Sequence, residues 1–213
     1  MAVTAPPVTG PSETAAPAAA PRRYLTADEF LRHPAAEGAS ELVNGEIVLM
    51  SPAGAVHHII GGALFAQLWA YVEAHGLGDA FMDNVGYYLP IPGRDRDTVR
   101  APDVSFVAAE RLTEIPRGFL RLAPDFAVEV LSPENTAAEM DARMADYFAA
   151  GTRLLWVIDP DRRTVAVHAP DAPARWLGEG DVLDAGDVVP GFSLPVAALF
   201  RRLDAGPRAP AAS

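Results

Sequence analysis

Asp103 and Glu129 are carboxylates carried on two apolar runs, Val104-Ser105-Phe106-Val107 and Phe126-Ala127-Val128-Glu129-Val130-Leu131. Both runs have the length and the β-branched, aromatic content of buried strands. Placing even a neutral polar group in such surroundings without a partner costs about 2–7 kcal/mol, and two nearby carboxylates also repel each other. A divalent cation relieves both penalties. The pair therefore reads as a metal site, of the kind suited to phosphodiester hydrolysis. One feature complicates that reading: all 17 basic residues are arginine, so no lysine exists to assist at the site.

The elements that must position this pair can be read in order. Thr26-Ala27-Asp28-Glu29 is a capping box that opens a short helix. Glu41-Leu42-Val43, Asn44-Gly45 and Glu46-Ile47-Val48-Leu49 form a hairpin pattern. Residues 57–75 carry apolar residues at helical spacing (Ile60, Leu64, Leu68, Val72), with Gly76 as the stop. Phe81 to Leu89 alternates as a strand. Asp103–Val107 and Asp125–Leu131 follow as two further strands. In the second, period 2 puts Asp125, Ala127, Glu129 and Leu131 on one face. Thr136-Ala137-Ala138-Glu139 opens a second helix that ends at Gly151. Leu154–Ile158 then reads as a central strand, paired through a turn with 163–168. The expected fold is a single α+β domain: a mixed central sheet flanked by helices, with a right-handed crossover around the second helix.

Composition bounds the remainder. The chain has 213 residues, 50% of them hydrophobic and 21% charged, as expected of one globular domain. It has no cysteine, so disulfides and thiolate metal sites are excluded, and no His spacing indicates zinc. Its Ala-, Gly-, Pro- and Arg-rich makeup suits a GC-rich, bacterial source. Met1–Pro21 has neither a basic nor an apolar signal region, and the longest apolar stretch, around Ala63–Val72, is too short and interrupted to span a membrane. A cytoplasmic protein is expected, with disordered tails at 1–23 and 201–213 around a domain at 24–200. The net charge is −11; the tails carry +1 and +2, leaving −14 for residues 24–200. That argues against broad, non-specific nucleic-acid binding, but not against a local basic groove or a cluster of acids neutralised by metal.

The ordered set of motifs resembles a known family. Pro102-Asp103 followed by Glu129 is similar to the PD-(D/E)xK nuclease pattern. Glu41-Leu42-Val43-Asn44-Gly45, Met50-Ser51-Pro52 with His57, Val128-Glu129-Val130-Leu131-Ser132-Pro133, Tyr147 with Ala150-Gly151, Trp156-Val157-Ile158-Asp159-Pro160 and Pro190-Gly191-Phe192 narrow it. Together they resemble the Uma-two family of restriction-endonuclease-like proteins, a group of unknown function, from about Tyr24 to Phe200. The resemblance implies a restriction-endonuclease-like fold and hydrolysis of DNA with Mg2+ or Mn2+. Asp103 and Glu129 would be the metal ligands, and Glu41 the acid near the start of the domain. A homodimer is implied as well, because most enzymes of this fold that cut both strands are dimers.

In the plain motif a lysine follows the Glu by two, where this chain has Leu131. In this family it is displaced to the following helix, at Arg143. An arginine there can stabilise a pentavalent phosphate but cannot act as a general base, so the water would be activated by metal alone or by Glu41. Arg143 has a plainer reading too, as an exposed i,i+4 partner of Glu139 worth roughly 0.2–0.5 kcal/mol. His57 is a further candidate, as a support for a ligand or a phosphate contact. Arg94, Arg96 and Arg100 read first as a solvated loop whose charge Asp95 and Asp97 cancel. Trp69, Trp156 and Trp176 read as core. A nuclease-fold protein that has lost catalysis and serves as a binding or regulatory module is the competing expectation.

Overall fold

The computed structural model describes Met1 and residues 23–206; the tail expected at 1–23 lies almost entirely outside them. In chain order the elements are α1 (Ala27–Leu31), β1 (Ser40–Val43), β2 (Glu46–Leu49), α2 (Ala55–His75), β3 (Gly78–Met82), β4 (Tyr87–Tyr88), β5 (Val99–Arg100), β6 (Val104–Ala108), β7 (Phe126–Val130), α3 (Ala137–Ala150), β8 (Leu154–Asp159), β9 (Thr164–His168), β10 (Arg175–Leu177), β11 (Val182–Asp184), β12 (Ser193–Pro195) and α4 (Val196–Asp204). Because α4 runs to Asp204, the folded chain continues past residue 200, where the sequence placed the start of a tail.

Six strands form the main sheet in the order β10-β9-β8-β7-β6-β3. Only β7 and β8 are parallel, joined by α3; the other neighbours are antiparallel. The mixed sheet flanked by helices is the architecture expected from the sequence. One face carries Phe106, Phe126, Val128, Trp156 and Ile158 against the Ile60, Leu64, Leu68 and Val72 stripe of α2 and against Leu199 and Phe200 of α4. Phe126 meets Trp156 edge-on, with ring centroids 4.7 Å apart. The opposite face packs Ala127, Leu155 and Val157 against Met140 and Tyr147 of α3. By length and composition alone α2 suffices to cross a membrane, more than its apolar stretch suggested, but its stripe is spent on this core.

A second, four-stranded sheet, β2-β1-β5-β4, was not anticipated. The reason lies within Phe81–Leu89, which reads as one strand but is two. Asn84 adopts φ +66, a left-handed conformation that Asn tolerates better than most residues. Gly86 lies so close to the Phe119 ring that a Cβ there would come within 2.4 Å of it. The chain thus leaves the main sheet at Met82 and enters the second at Tyr87. Tyr87 is buried and Tyr88 half-buried. The β1–β2 hairpin turns on Asn44 (φ 51) and Gly45 (φ 79), as its Asn-Gly sequence requires. Trp156 is core, whereas Trp69 and Trp176 are 49% and 65% exposed, contrary to expectation.

Helix α3 starts on a complete capping box. Thr136 Oγ1 accepts from Glu139 N at 3.2 Å, and Glu139 Oε2 accepts from Thr136 N at 2.9 Å. Glu139 is thereby committed to the cap, with its carboxyl held below the ordinary range by the Thr136 backbone N–H. Thr136→Ala is expected to lower the unfolding free energy by about 1 kcal/mol. Urea denaturation measures this, and a change below a few tenths would show that the cap contributes nothing in solution.

Candidate functional site

Two sheets and two helices converge on a single cleft. Asp103 lies in the turn just before β6, and its N–H donates to Val128 O at 3.1 Å, which keeps it in register with β7. With Val104 paired to Val128, the antiparallel register continued by one residue sets Asp103 opposite Glu129. Asp103 Oδ2 accepts from Val130 N at 2.6 Å and lies 3.0 Å from His57 Nε2, in the first turn of α2. Glu129 occupies the α3 face of β7, as its strand period dictates. Glu41 arrives from β1 in the second sheet. Arg143 arrives from the middle of α3. The structure therefore places Glu41, His57, Asp103, Glu129 and Arg143 around one cleft of about 550 Å³.

Arg143 does not pair with Glu139. It turns inward, and its Nη1 donates to both oxygens of Glu129, at 3.1 and 3.2 Å. Its Nη2 donates to Glu41 Oε2 at 3.0 Å and lies 3.5 Å from Met50 Sδ. Tyr147, one helical turn on, donates its hydroxyl to Glu129 Oε1 at 2.8 Å. Glu41, Glu129 and Arg143 are 1%, 5% and 9% exposed, so this is a buried ionic cluster.

The cluster extends further than the sequence indicated. Glu41 also accepts from Arg100 Nη1 at 2.8 Å and from Ala101 N at 2.9 Å. Arg100 turns its Nε and Nη2 to Asp146 Oδ2, at 2.9 and 2.6 Å, and Arg94 Nη1 donates to Asp146 Oδ1 at 2.7 Å. The expectation that Arg94, Arg96 and Arg100 form a solvated loop holds for the exposed Arg94 and Arg96 and fails for Arg100. Arg100 is buried on β5, Arg94 is tied to Asp146, and Arg96 lies over the Tyr24 ring. A signal for part of this was present: Asp146 and Tyr147 follow Arg143 by three and four residues, on one face of α3. Nothing local marks Arg100, whose partners lie 46 and 59 positions away.

Charge and burial compete at each group. Burial pushes the Glu129 carboxyl up to about 7, helped by the Asp103 and Glu41 charges and opposed by Arg143 and the Tyr147 hydroxyl. For Arg143 burial works against the charge, but Glu129 and Glu41 outweigh it and hold the guanidinium protonated. Burial and the neighbouring Glu129 raise Tyr147, so it remains a donor. Burial also opposes a charged His57, yet the hydrogen bond and charge of Asp103 raise its pKa overall.

A stability consequence follows for Glu129. Its ordinary value is 4.5 and its value in the fold is about 7. Between these pH values the folded chain holds a proton that the unfolded chain does not. Unfolding free energy should therefore fall as pH rises through that window, by at most about 1.4 kcal/mol per unit. Denaturant titrations of wild type and Glu129→Gln across this range test it; equal slopes would remove Glu129 as the titrating group.

The donor set suits a hard divalent cation. Asp103 Oδ1 accepts no hydrogen bond from the described residues, and Glu129 Oε2 accepts only from Arg143. Mg2+ characteristically takes one or two carboxylates and completes its shell with water and substrate phosphate. No group of three or more His, Cys, Asp or Glu arranged to hold a metal occurs among the described residues. A cage made wholly of protein ligands is thus not what this cleft offers. Glu41, with its oxygens committed to Arg100, Arg143 and Ala101, is a partner of arginines rather than an open ligand.

A mixed sheet with adjacent acidic strands, a helix-borne cation over them and a cleft at their end define a nuclease-like fold. The chain belongs to the Uma2 family, whose model carries the description "putative restriction endonuclease" and matches residues 27–197. Among solved structures it is similar to one described as a "putative nuclease belonging to DUF820" from Anabaena variabilis, with 24% identity and a TM-score of 0.72, over 84% of this chain and 99% of that one. At that identity the likeness bears on the fold alone. No curated protein matches the chain.

Proposed function

We propose that the protein is a metal-dependent endonuclease that hydrolyses DNA phosphodiester bonds at this cleft, acting as a homodimer where both strands are cut. The observation that carries the reading is that Asp103 and Glu129 line one cleft, each with an uncommitted carboxylate oxygen or lone pair, with Arg143 bonded to Glu129. Mg2+ or Mn2+ held by Asp103 and Glu129 would neutralise phosphate charge and lower the pKa of an attacking water.

The chain's own residues account for the remainder. Arg143 carries a permanent charge and a planar donor array suited to phosphate oxygens. Tyr147 and Glu41 orient Arg143 and Glu129, and His57 orients Asp103. With Glu41 engaged by arginines, activation of the water would fall to the cation. Asp83, Glu134 and Glu139 also line the cleft, and an acidic cleft needs cations before it admits a polyanion.

The test is nicking of supercoiled plasmid by purified protein. Cleavage is expected with Mg2+ or Mn2+, none with EDTA, and none from Glu129→Gln. Cleavage in EDTA, or by Glu129→Gln at the wild-type rate, would overturn the reading. One observation favours the alternative of a non-cleaving binding module: Arg143 already engages both oxygens of Glu129. That alternative predicts DNA retention without cleavage under every cation.

A further inference from the structure

We propose that Arg143 makes cation binding and phosphodiester binding at this cleft interdependent, so that neither ligand is held well without the other. This rests on the nuclease reading and specifies how the same site fills.

The cluster is balanced as it stands. Glu41, Asp103, Glu129 and Asp146 face Arg94, Arg100 and Arg143, and His57 supplies a hydrogen bond to Asp103. Four carboxylates against three guanidiniums leave at most one negative charge. Arg143 is the counter-ion of Glu129, through two bonds from one nitrogen. A divalent cation bound by Glu129 would lie close to that guanidinium, and like charges within about 4–6 Å repel.

A lysine at this position could yield by losing its proton. An arginine cannot at any accessible pH, so the conflict persists until a new anion arrives. A phosphodiester supplies that anion, together with two oxygens that match the guanidinium plane. It gives Arg143 an alternative to Glu129, and Glu129 is then released to the cation. Met50, whose flexible thioether contacts Nη2, borders the same cleft and is the neighbour most easily displaced. Coupling of this kind is reciprocal: whatever factor the phosphate adds to cation affinity, the cation adds to phosphate affinity.

The experiment measures Mn2+ binding to the full chain by electron paramagnetic resonance of free Mn2+, with and without a short duplex of phosphorothioate backbone as a slowly cleaved probe. Wild type is expected to bind Mn2+ weakly alone and roughly tenfold or more tightly with the probe. Arg143→Met is expected to bind Mn2+ at least about tenfold more tightly than wild type without the probe, and to lose the response to it. A melting temperature raised by Mn2+ more in Arg143→Met than in wild type would agree, because the bound cation replaces the missing counter-charge.

Mn2+ binding that is abolished by Asp103→Asn, yet unaffected by the probe in wild type, would overturn the coupling and leave the nuclease reading intact. Absence of Asp103-dependent Mn2+ binding under all conditions would overturn both. If Arg143→Met fails to fold, Arg143→Lys decides instead: it is expected to bind Mn2+ more tightly than wild type without the probe and to respond less to it, and wild-type behaviour in that variant would overturn the proposal.

Discussion

Arg143→Met is expected to lower the unfolding free energy by about 3–5 kcal/mol, the range for removing one partner of a buried ion pair. The magnitude comes from what is left behind. Glu129 and Glu41 are almost fully buried, and with the main counter-charge gone each must either stay ionised without compensation or take up a proton. Tyr147 still donates to Glu129, and Arg100 still donates to Glu41, so the second carboxylate suffers less. The double variant Arg143→Met with Glu129→Gln should therefore recover a large part of the loss. Urea unfolding of the two single variants and the double gives the coupling directly. A single-variant loss below about 1 kcal/mol, typical of an exposed pair, would mean the cluster is solvated in solution. Arg143→Lys should fall between, because a point charge cannot span Glu129 and Glu41 together.

Asp103→Asn is expected to reduce DNA cleavage by roughly 10²–10³-fold or more, the loss seen when one preorganised electrostatic partner is removed. Its effect on folding should be small by contrast. The amide oxygen of Asn can still accept the Val130 N–H, which is the bond that ties this turn to β7. The His57 contact survives as a neutral hydrogen bond. What disappears is the negative charge at the open end of the cleft. Plasmid nicking rates and denaturation midpoints measured on one preparation separate the two effects. Unchanged cleavage would remove Asp103 from the metal site.

The pairing of Asp103 with Glu129 was legible because both lie on apolar strand runs, and strands adjacent in sequence are often adjacent in space. The α3 position of Arg143 was legible from its capping box and spacing, but its direction was not. Glu139 stood four residues before it as a local partner, although the capping-box pattern that assigns Glu139 to the helix start already argued against that pairing. Arg100 and Asp146 were invisible for a related reason. An arginine in a loop beside two aspartates reads as solvated unless a distant carboxylate is known to reach it. The second sheet was hidden inside Phe81–Leu89, where alternation is kept across a break enforced by Asn84 and the tight packing at Gly86. Local pattern carries the period of an element and says little about a kink that preserves it.

Glu41 and Arg143 meet across 102 positions of chain. Contacts with such separation close late, because loop-closure entropy must be met before they form. A ribosome delivers Glu41, then Asp103, then Glu129, and Arg143 last of these. Until α3 has emerged and docked, the acidic residues share no guanidinium and the cleft has no roof. Whatever this cleft holds, it can hold only once α3 has docked, so the site belongs to the completed domain and to no shorter piece of it.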